Sequence, residues 1–227
     1  MKIKWLGHAC FMLEGSKKIL IDPFMPFGNF GCADKADIVA VTHAHADHLG
    51  ETIKLGKTTV CHNELSHYLR MKGVDTIPMN IGGSVETEGV RFTMVPALHS
   101  SSIEDDEAIE LEMPLIYAGT AAGFVIRMDG VSVYHAGDTG IFSDMKLIHD
   151  LYHPDVAILP IGDKYTMGPT EAMMAAEFVG APLVIPMHYN TFPVLNQDVG
   201  AFKAAIERVT DMKVAVLNPG EEITVGN

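Results

Sequence analysis

Between Thr42 and Gly50 the chain reads THAHADHLG, which sets His43, His45, Asp47 and His48 within six consecutive positions. The run leaves DIVAVT (37–42), whose unbroken apolar character predicts a buried strand. In an extended segment residues i, i+2 and i+4 point the same way, so His43, His45 and Asp47 are expected to converge, with His48 turning in beside them. The intervening alanines leave that space open. Imidazole and carboxylate together suit zinc, and also iron, nickel or manganese. A chance cluster of solvated loop histidines fits poorly, because the donors follow an apolar strand directly. The fold must therefore deliver more donors to this strand end, since one short motif does not complete a site.

Three candidates stand at the ends of other apolar runs. His99 closes GVRFTMVPALH, Asp138 sits in YHAGDTG, and His188 closes PLVIPMH. A lone histidine is more often an ordinary hydrogen-bonded residue, so each is weak alone. With the cluster they make seven donors, enough for two metals sharing one carboxylate.

The chain offers the strand ends such a site needs. KIKWL, HACFMLE and KKILIDP read as strands, the last two joined at Gly15-Ser16, and TTVC as another. NELSHYLRMKG predicts a helix capped by Asn63 and stopped at Gly73. AGFVIRMDGVSVYHAGD predicts a hairpin turned at Asp129-Gly130. Beyond it, helices at 142–152, 169–180 and 197–210 alternate with the strands DVAILPIG, PLVIPMH, KVAVLNPG and EEITV. Two echoing stretches of this kind predict two sheets packed face to face with helices outside. No linker divides residues 1–227, which read as one domain. The aperiodic segment from Ser100 to Thr120, acidic at 104–107, predicts a solvated loop, with 100–119 able to cover the site.

These residues carry a family resemblance. HAHADH, His99, Asp138 in HAGDTG and His188 in PMHYN resemble the H-x-H-x-D-H, H, D, H series of the metallo-β-lactamase superfamily. WLGHACFMLEG and ILIDPF further resemble its branch related to ascorbate-6-phosphate lactonases, which includes metal-dependent hydrolases of unassigned substrate. The resemblance spans nearly the whole chain and implies an α+β fold, the four-layer αββα sandwich, with the site at one edge. It implies that His43, His45 and His99 hold one metal, that Asp47, His48 and His188 hold the second, and that Asp138 bridges both. His8, in the GHA motif, matches a histidine near the metals: an additional ligand, a substrate-side acid, or a structural residue of the first β-turn. Asp22 is either a ligand-orienting residue or part of an Asx turn before Pro23, and His135 is a candidate of the same orienting kind. His62, His67, His149 and His153 are expected at the surface. Tyr117, Lys164 and Tyr165 are candidates to face the substrate, with Lys164 the natural partner for an anionic group. The branch often has a glycine-rich stretch where Asp163-Lys164 stand.

The implied activity is metal-dependent hydrolysis of a small ester, lactone or phosphoester. Two divalent cations roughly 3.5–4 Å apart, most simply zinc, share a water and activate it for attack. Asp47 and His48 would serve catalysis as well as binding, and His8 would assist. A nuclease or phosphodiesterase is the alternative, but a formal charge of −13 disfavours nucleic acid. A non-catalytic metal-binding protein is a further alternative. A di-iron oxidoreductase would need a flavin partner, and no flavin-binding fingerprint is present. True β-lactamase activity is disfavoured because no secretion signal is recognisable. Cys10, Cys32 and Cys61 are odd in number and far apart, which argues against a disulfide framework. With no signal peptide and no membrane span, the expected address is the cytoplasm; a homo-oligomer is compatible with the sequence.

Overall fold

The computed structural model describes residues 1–105 and 115–226. Its strands in chain order are β1 (Lys2–Gly7), β2 (Cys10–Glu14), β3 (Lys18–Ile21), β4 (Ile38–Ala40), β5 (Thr59–His62), β6 (Thr76–Met79), β7 (Ser84–Thr87) and β8 (Val90–Pro96). They continue as β9 (Ser102–Ile103), β10 (Ile116–Tyr117), β11 (Ala122–Met128), β12 (Val131–His135), β13 (Val156–Pro160), β14 (Leu183–Met187), β15 (Lys213–Val214) and β16 (Glu222–Thr224). Helices are α1 (Ala46–Leu49), α2 (Thr52–Leu55), α3 (Asn63–Met71), α4 (Met145–Tyr152), α5 (Pro169–Val179) and α6 (Val199–Val209).

Two seven-stranded sheets form, ordered β16-β1-β2-β3-β4-β5-β6 and β15-β14-β13-β12-β11-β8-β7. Their construction is alike. In the first, β16 through β3 pair antiparallel and β3 through β6 parallel. In the second, β7, β8, β11 and β12 pair antiparallel and β12 through β15 parallel.

The period-2 alternation of side chains explains why both faces of the first sheet are covered. Ile3, Trp5, Phe11, Leu13, Ile19, Ile21, Ile38 and Ala40 enter the core shared with Phe92, Phe124 and Val133 of the second sheet. Their neighbours Leu6, Cys10, Met12, Leu20, Val39 and Val41 pack on the other side with Leu65 and Leu69 of α3. Helices α4 and α5 pack together, α5 lies on β13, and α6 on α5 and β15. The expected four-layer α+β sandwich is the result.

This topology makes the site. Strands β1, β3 and β4 run in one direction through the first sheet, and β8, β12 and β14 share a direction in the second. The carboxyl ends of these six strands carry His8, Asp22, the HAHADH run, His99, Asp138 and His188 in turn. Loops at such ends are where a doubly layered fold can assemble a site from distant chain.

Several local expectations are corrected. KVAVLNPG contributes only the two residues of β15 to a sheet. The fourth helix starts at Met145 rather than Phe142, after turns in which Met145 N bonds to Phe142 O. Asn63 is the first residue of α3 rather than its cap; His62 is the cap, its Nδ1 accepting from Glu64 N at 3.4 Å. That role buries His62, which is therefore not a surface histidine. In the acidic stretch 104–107, Asp105 is buried, accepting from the Tyr68 hydroxyl at 2.7 Å with the Lys72 ammonium at 3.2 Å. Within the loop expected at 100–120, Ser102–Ile103 pairs with Ile116–Tyr117. Residues 106–114, the middle of the segment expected to cover the site, lie outside the described residues. No helix among the described residues is long and apolar enough to cross a membrane.

Candidate metal centre

The HAHADH run is only partly extended. His45 keeps strand-like dihedrals and caps α1, so Asp47 and His48 lie on the first turn of a helix. This corrects the expectation that Asp47 points with His43 and His45. The extended half sends His43 and His45 to one place, with His43 Nε2 and His45 Nδ1 3.0 Å apart. The helical half sends Asp47 and His48 to another.

Each half is joined by donors from elsewhere. His99 Nε2 lies 3.3 Å from His45 Nδ1. His188 Nε2 lies 3.7 Å from Asp47 Oδ2. Asp138 stands between, with Oδ1 3.2 Å from His48 Nε2 and Oδ2 3.0 Å from His188 Nε2 and 3.7 Å from His99 Nε2. Three overlapping sets of donor atoms, each within 4.8 Å of one another, could hold an ion: His43, His45 and His99; His8, Asp47, His48 and His188; and His43, His48 and Asp138. All seven sequence-expected ligands are thus brought together, and His8 with them.

The directions of the buried donors say more than their distances. His48 Nε2, Asp138 Oδ1 and His188 Nε2 are buried and have no hydrogen-bond partner, although ion-pair distances connect them. Buried polar atoms are rarely left so. Atoms close together but misaligned for bonding are aimed past one another at a common point, and a cation there satisfies all three. The donor set fits a metal.

Around the donors the structure fixes their tautomers. Asp22 is fully buried with φ +44, at a turn packed so closely on Gly50 (φ +45) that a Cβ there would strike the Pro23 carbonyl. Its carboxylate accepts from Thr42 N at 2.8 Å, the Thr42 hydroxyl at 2.7 Å and His48 Nδ1 at 2.7 Å. A carboxylate only accepts here, so His48 keeps a proton on Nδ1 and Nε2 is the nitrogen that faces the site. Thr42 Oγ1, having donated to Asp22, accepts from His43 Nδ1 at 3.1 Å, which frees His43 Nε2 in the same way. One carboxylate thereby orients a histidine of each half. His8 Nε2 donates to Asp47 Oδ2 at 3.0 Å, and Thr191 Oγ1 donates to His8 Nδ1 at 3.0 Å. The His8 side chain is wholly enclosed behind Asp47, which is 34% exposed, and the ring of His188, 3.9 Å away between centroids.

His135 touches no donor. It accepts from Gly137 N through Nδ1 and donates from Nε2 to Ala9 O, pinning the backbone between the turns that present His8 and Asp138. Thr139 does similar work, accepting from Leu98 N at 2.9 Å and so joining the loops of Asp138 and His99. Thr42, Thr139 and Thr191 were not singled out in the sequence, though each lies within three residues of an expected ligand.

Charge divides the two halves. Burial lowers the pKa of His43 well below the usual imidazole range and also lowers those of His45 and His99. Burial works against charge on His48 and His188 too, but there Asp138 outweighs it, aided by Asp22 at His48 and Asp47 at His188. His48 is raised well above its ordinary value and His188 to about 9. Burial alone would raise the Asp47 carboxyl; hydrogen bonds from His188 and His8 hold it well below the carboxylate range. Burial pushes His8 down to about 4 despite its bond to Asp47.

The donors open onto a cavity of about 370 Å³ lined by His45, Asp47, His99, Ser100, Asp138, Tyr165 and His188. Tyr117 is 71% exposed and does not line it.

A beta-lactamase superfamily domain matches residues 2–188. A protein of Methanoculleus marisnigri described as a UPF0173 metal-dependent hydrolase is 61% identical over 226 residues, covering 100% of this chain and 97% of the relative. One of Methanoregula boonei with the same description is 57% identical, covering 99% and 98%. Among solved structures, Igni18, a metallo hydrolase from the archaeon Ignicoccus hospitalis, is similar with a TM-score of 0.87 and 36% identity, over 100% of this chain and 98% of that one.

Proposed function

The chain belongs to the metallo-β-lactamase superfamily, and from that premise we propose that it is a metal-dependent hydrolase whose two donor groups, joined by Asp138, hold a pair of divalent cations for cleaving a small ester, lactone or phosphoester. The observation that carries the reading is the set of orphaned buried atoms on His48, Asp138 and His188, which a cation satisfies and ordinary hydrogen bonding does not. In this reading His43, His45 and His99 hold one ion, Asp47, His48 and His188 the other, and Asp138 touches both. The relatives' shared description supports hydrolysis; the lactone and phosphoester classes follow the sequence resemblance.

Bound divalent cations supply Lewis acidity, lowering the pKa of a coordinated water toward about 7 from 15.7 in bulk. The protein's own contribution is placement. Asp22 fixes the rings of His43 and His48 so that Nε2 of each faces inward, and neither ring has to turn to meet a cation. Asp47 reaches the cavity with Oδ2 engaged by His8, which leaves Oδ1 to hold a cation or receive a proton. His8, enclosed behind it, acts on Asp47 rather than on substrate. The Trp5–Phe11–Tyr189 stack and the buried β1 turn behind His8 keep bulk water from that side.

The test combines metal analysis of native protein with a hydrolysis screen over esters, lactones and phosphoesters, repeated on His48→Ala. The expected result is turnover in the wild type and lower metal content with lost turnover in a folded mutant. Full turnover by His48→Ala, or an inert wild type loaded with metal, overturns the reading.

A further inference from the structure

We propose that the turn from Gly162 to Met167 reads the substrate, and that it selects molecules carrying an anionic group, a carboxylate or phosphate, beside the bond to be cleaved. The proposal rests on the hydrolase reading above and narrows its substrate class. Five of the seven residues lining the cavity are candidate metal donors, and Ser100 Oγ is turned to His45 Nε2 at 3.4 Å. Among the described residues, Tyr165 remains as the lining side chain free to meet an organic substrate; it is 56% exposed.

Its position is built into the fold. Asp163 adopts φ +72, a left-handed conformation that surrounding structure must hold for a residue with a side chain. Asp163 N bonds to Met167 O at 3.0 Å and Thr166 N to Asp163 O at 3.1 Å, closing the turn. Met167 N bonds to Thr139 O at 3.0 Å, next to Asp138. Gly162 lies so tightly on the His188 carbonyl that no Cβ fits there. The turn is therefore fastened to the two strand ends that bring Asp138 and His188, and Tyr165 keeps its distance from both.

Lys164 completes the element. Its ammonium stands 5.2 Å from the centroid of the Tyr165 ring, and among the described residues no carboxylate pairs with it. Six other lysines have acidic partners, and among the rest Lys164 is set apart by its place beside Tyr165. In a chain with a formal charge of −13, an uncommitted ammonium held against the aromatic wall of the metal cavity is a recognition group for an anion. A substrate whose scissile group sits among the donors lays its carbon frame along Tyr165 and its charge at Lys164.

The experiment uses zinc-loaded protein, wild type, Lys164→Gln and Lys164→Arg. Steady-state cleavage is measured for mono-4-nitrophenyl succinate and neutral 4-nitrophenyl acetate, and succinate binding is measured by calorimetry. For Lys164→Gln the expected result is about a tenfold rise in KM for the succinate ester, equal to one charge-assisted contact, with kcat within about twofold. The acetate ester is unchanged, succinate affinity falls in parallel, and Lys164→Arg restores both. Equal effects on the two esters, or no loss of succinate affinity, overturn the proposal. If neither ester is cleaved, the hydrolase reading is decided by the wider screen over lactones and phosphoesters, while the calorimetric comparison still decides the role of Lys164.

Discussion

The two halves of the candidate metal centre are built from one six-residue run, yet they differ in nearly every physical respect. The His43, His45 and His99 group is all imidazole, with two members partly open to the cavity, and burial keeps it uncharged. The Asp47, His48 and His188 group also reaches the cavity, through Asp47 and His188, but it packs against His8, Asp22 and Asp138 and is bound together by charge before any cation arrives. The neutral trio is organised by its backbone and by weak contacts from Thr42 and Ser100. A charged cluster organises itself, and must surrender protons to take a metal. The difference teaches that one short motif can supply two donor groups that are not physically equivalent.

Asp138 spans the contrast, so its removal should break it most severely. Asp138→Ala is expected to lose both ions and at least about 100-fold in turnover, the upper figure for removing even an outer partner of a metal ligand; elemental analysis and steady-state kinetics check this. Next in size is stability without metal. His188→Ala takes a counter-charge from buried Asp138 and should cost a few kcal/mol, whereas His99→Ala, at a partly exposed neutral residue, should stay within about 1 kcal/mol. Urea unfolding of the two metal-free variants measures the gap, and equal losses would erase the distinction between the halves.

Asp22→Asn sharpens the comparison differently, because Asp22 serves both halves: directly through His48 and by way of Thr42 at His43. Metal affinity should fall by about 10–100-fold at both positions, with the fold retained. Competition with a chromophoric chelator would show it. The smallest effect is in protons. With a pKa raised to about 9, His188 carries its proton below that pH, so a cation taking Nε2 at pH 7 must displace it, while the neutral trio has none to lose. Zinc calorimetry in buffers of different ionisation enthalpy should report about one proton fewer for His188→Ala than for wild type.

Much of this was legible in the residues. Donors placed after apolar runs foretold that strand ends would meet, and β8 and β14 end within one residue of GVRFTMVPA and PLVIPMH, while β4 stops at Ala40, two residues short of the end of DIVAVT. What the sequence concealed was conformation within the motif: alternation suggested that Asp47 follows His45, but His45 starts a helix and rotates Asp47 to the other group. His62 read as a surface residue because it lies away from the strand ends that carry the donors, and its capping of α3 was not foreseen, since caps are usually serine, threonine, asparagine or aspartate. Thr42 and Thr191 were hidden for a more general reason. A hydroxyl becomes a tautomer-fixing partner only through a neighbour far away in the chain, Asp22 for Thr42 and His8 for Thr191, and no local pattern records that pairing.

The most direct measurement is anomalous diffraction at the zinc edge from a crystal of metal-loaded protein. Two peaks are expected, one among His43, His45 and His99 and the other among Asp47, His48 and His188, with Asp138 within coordinating distance of both. An absence of any peak between these side chains, or a single ion that leaves either trio uncoordinated with Asp138 turned away, would contradict the account.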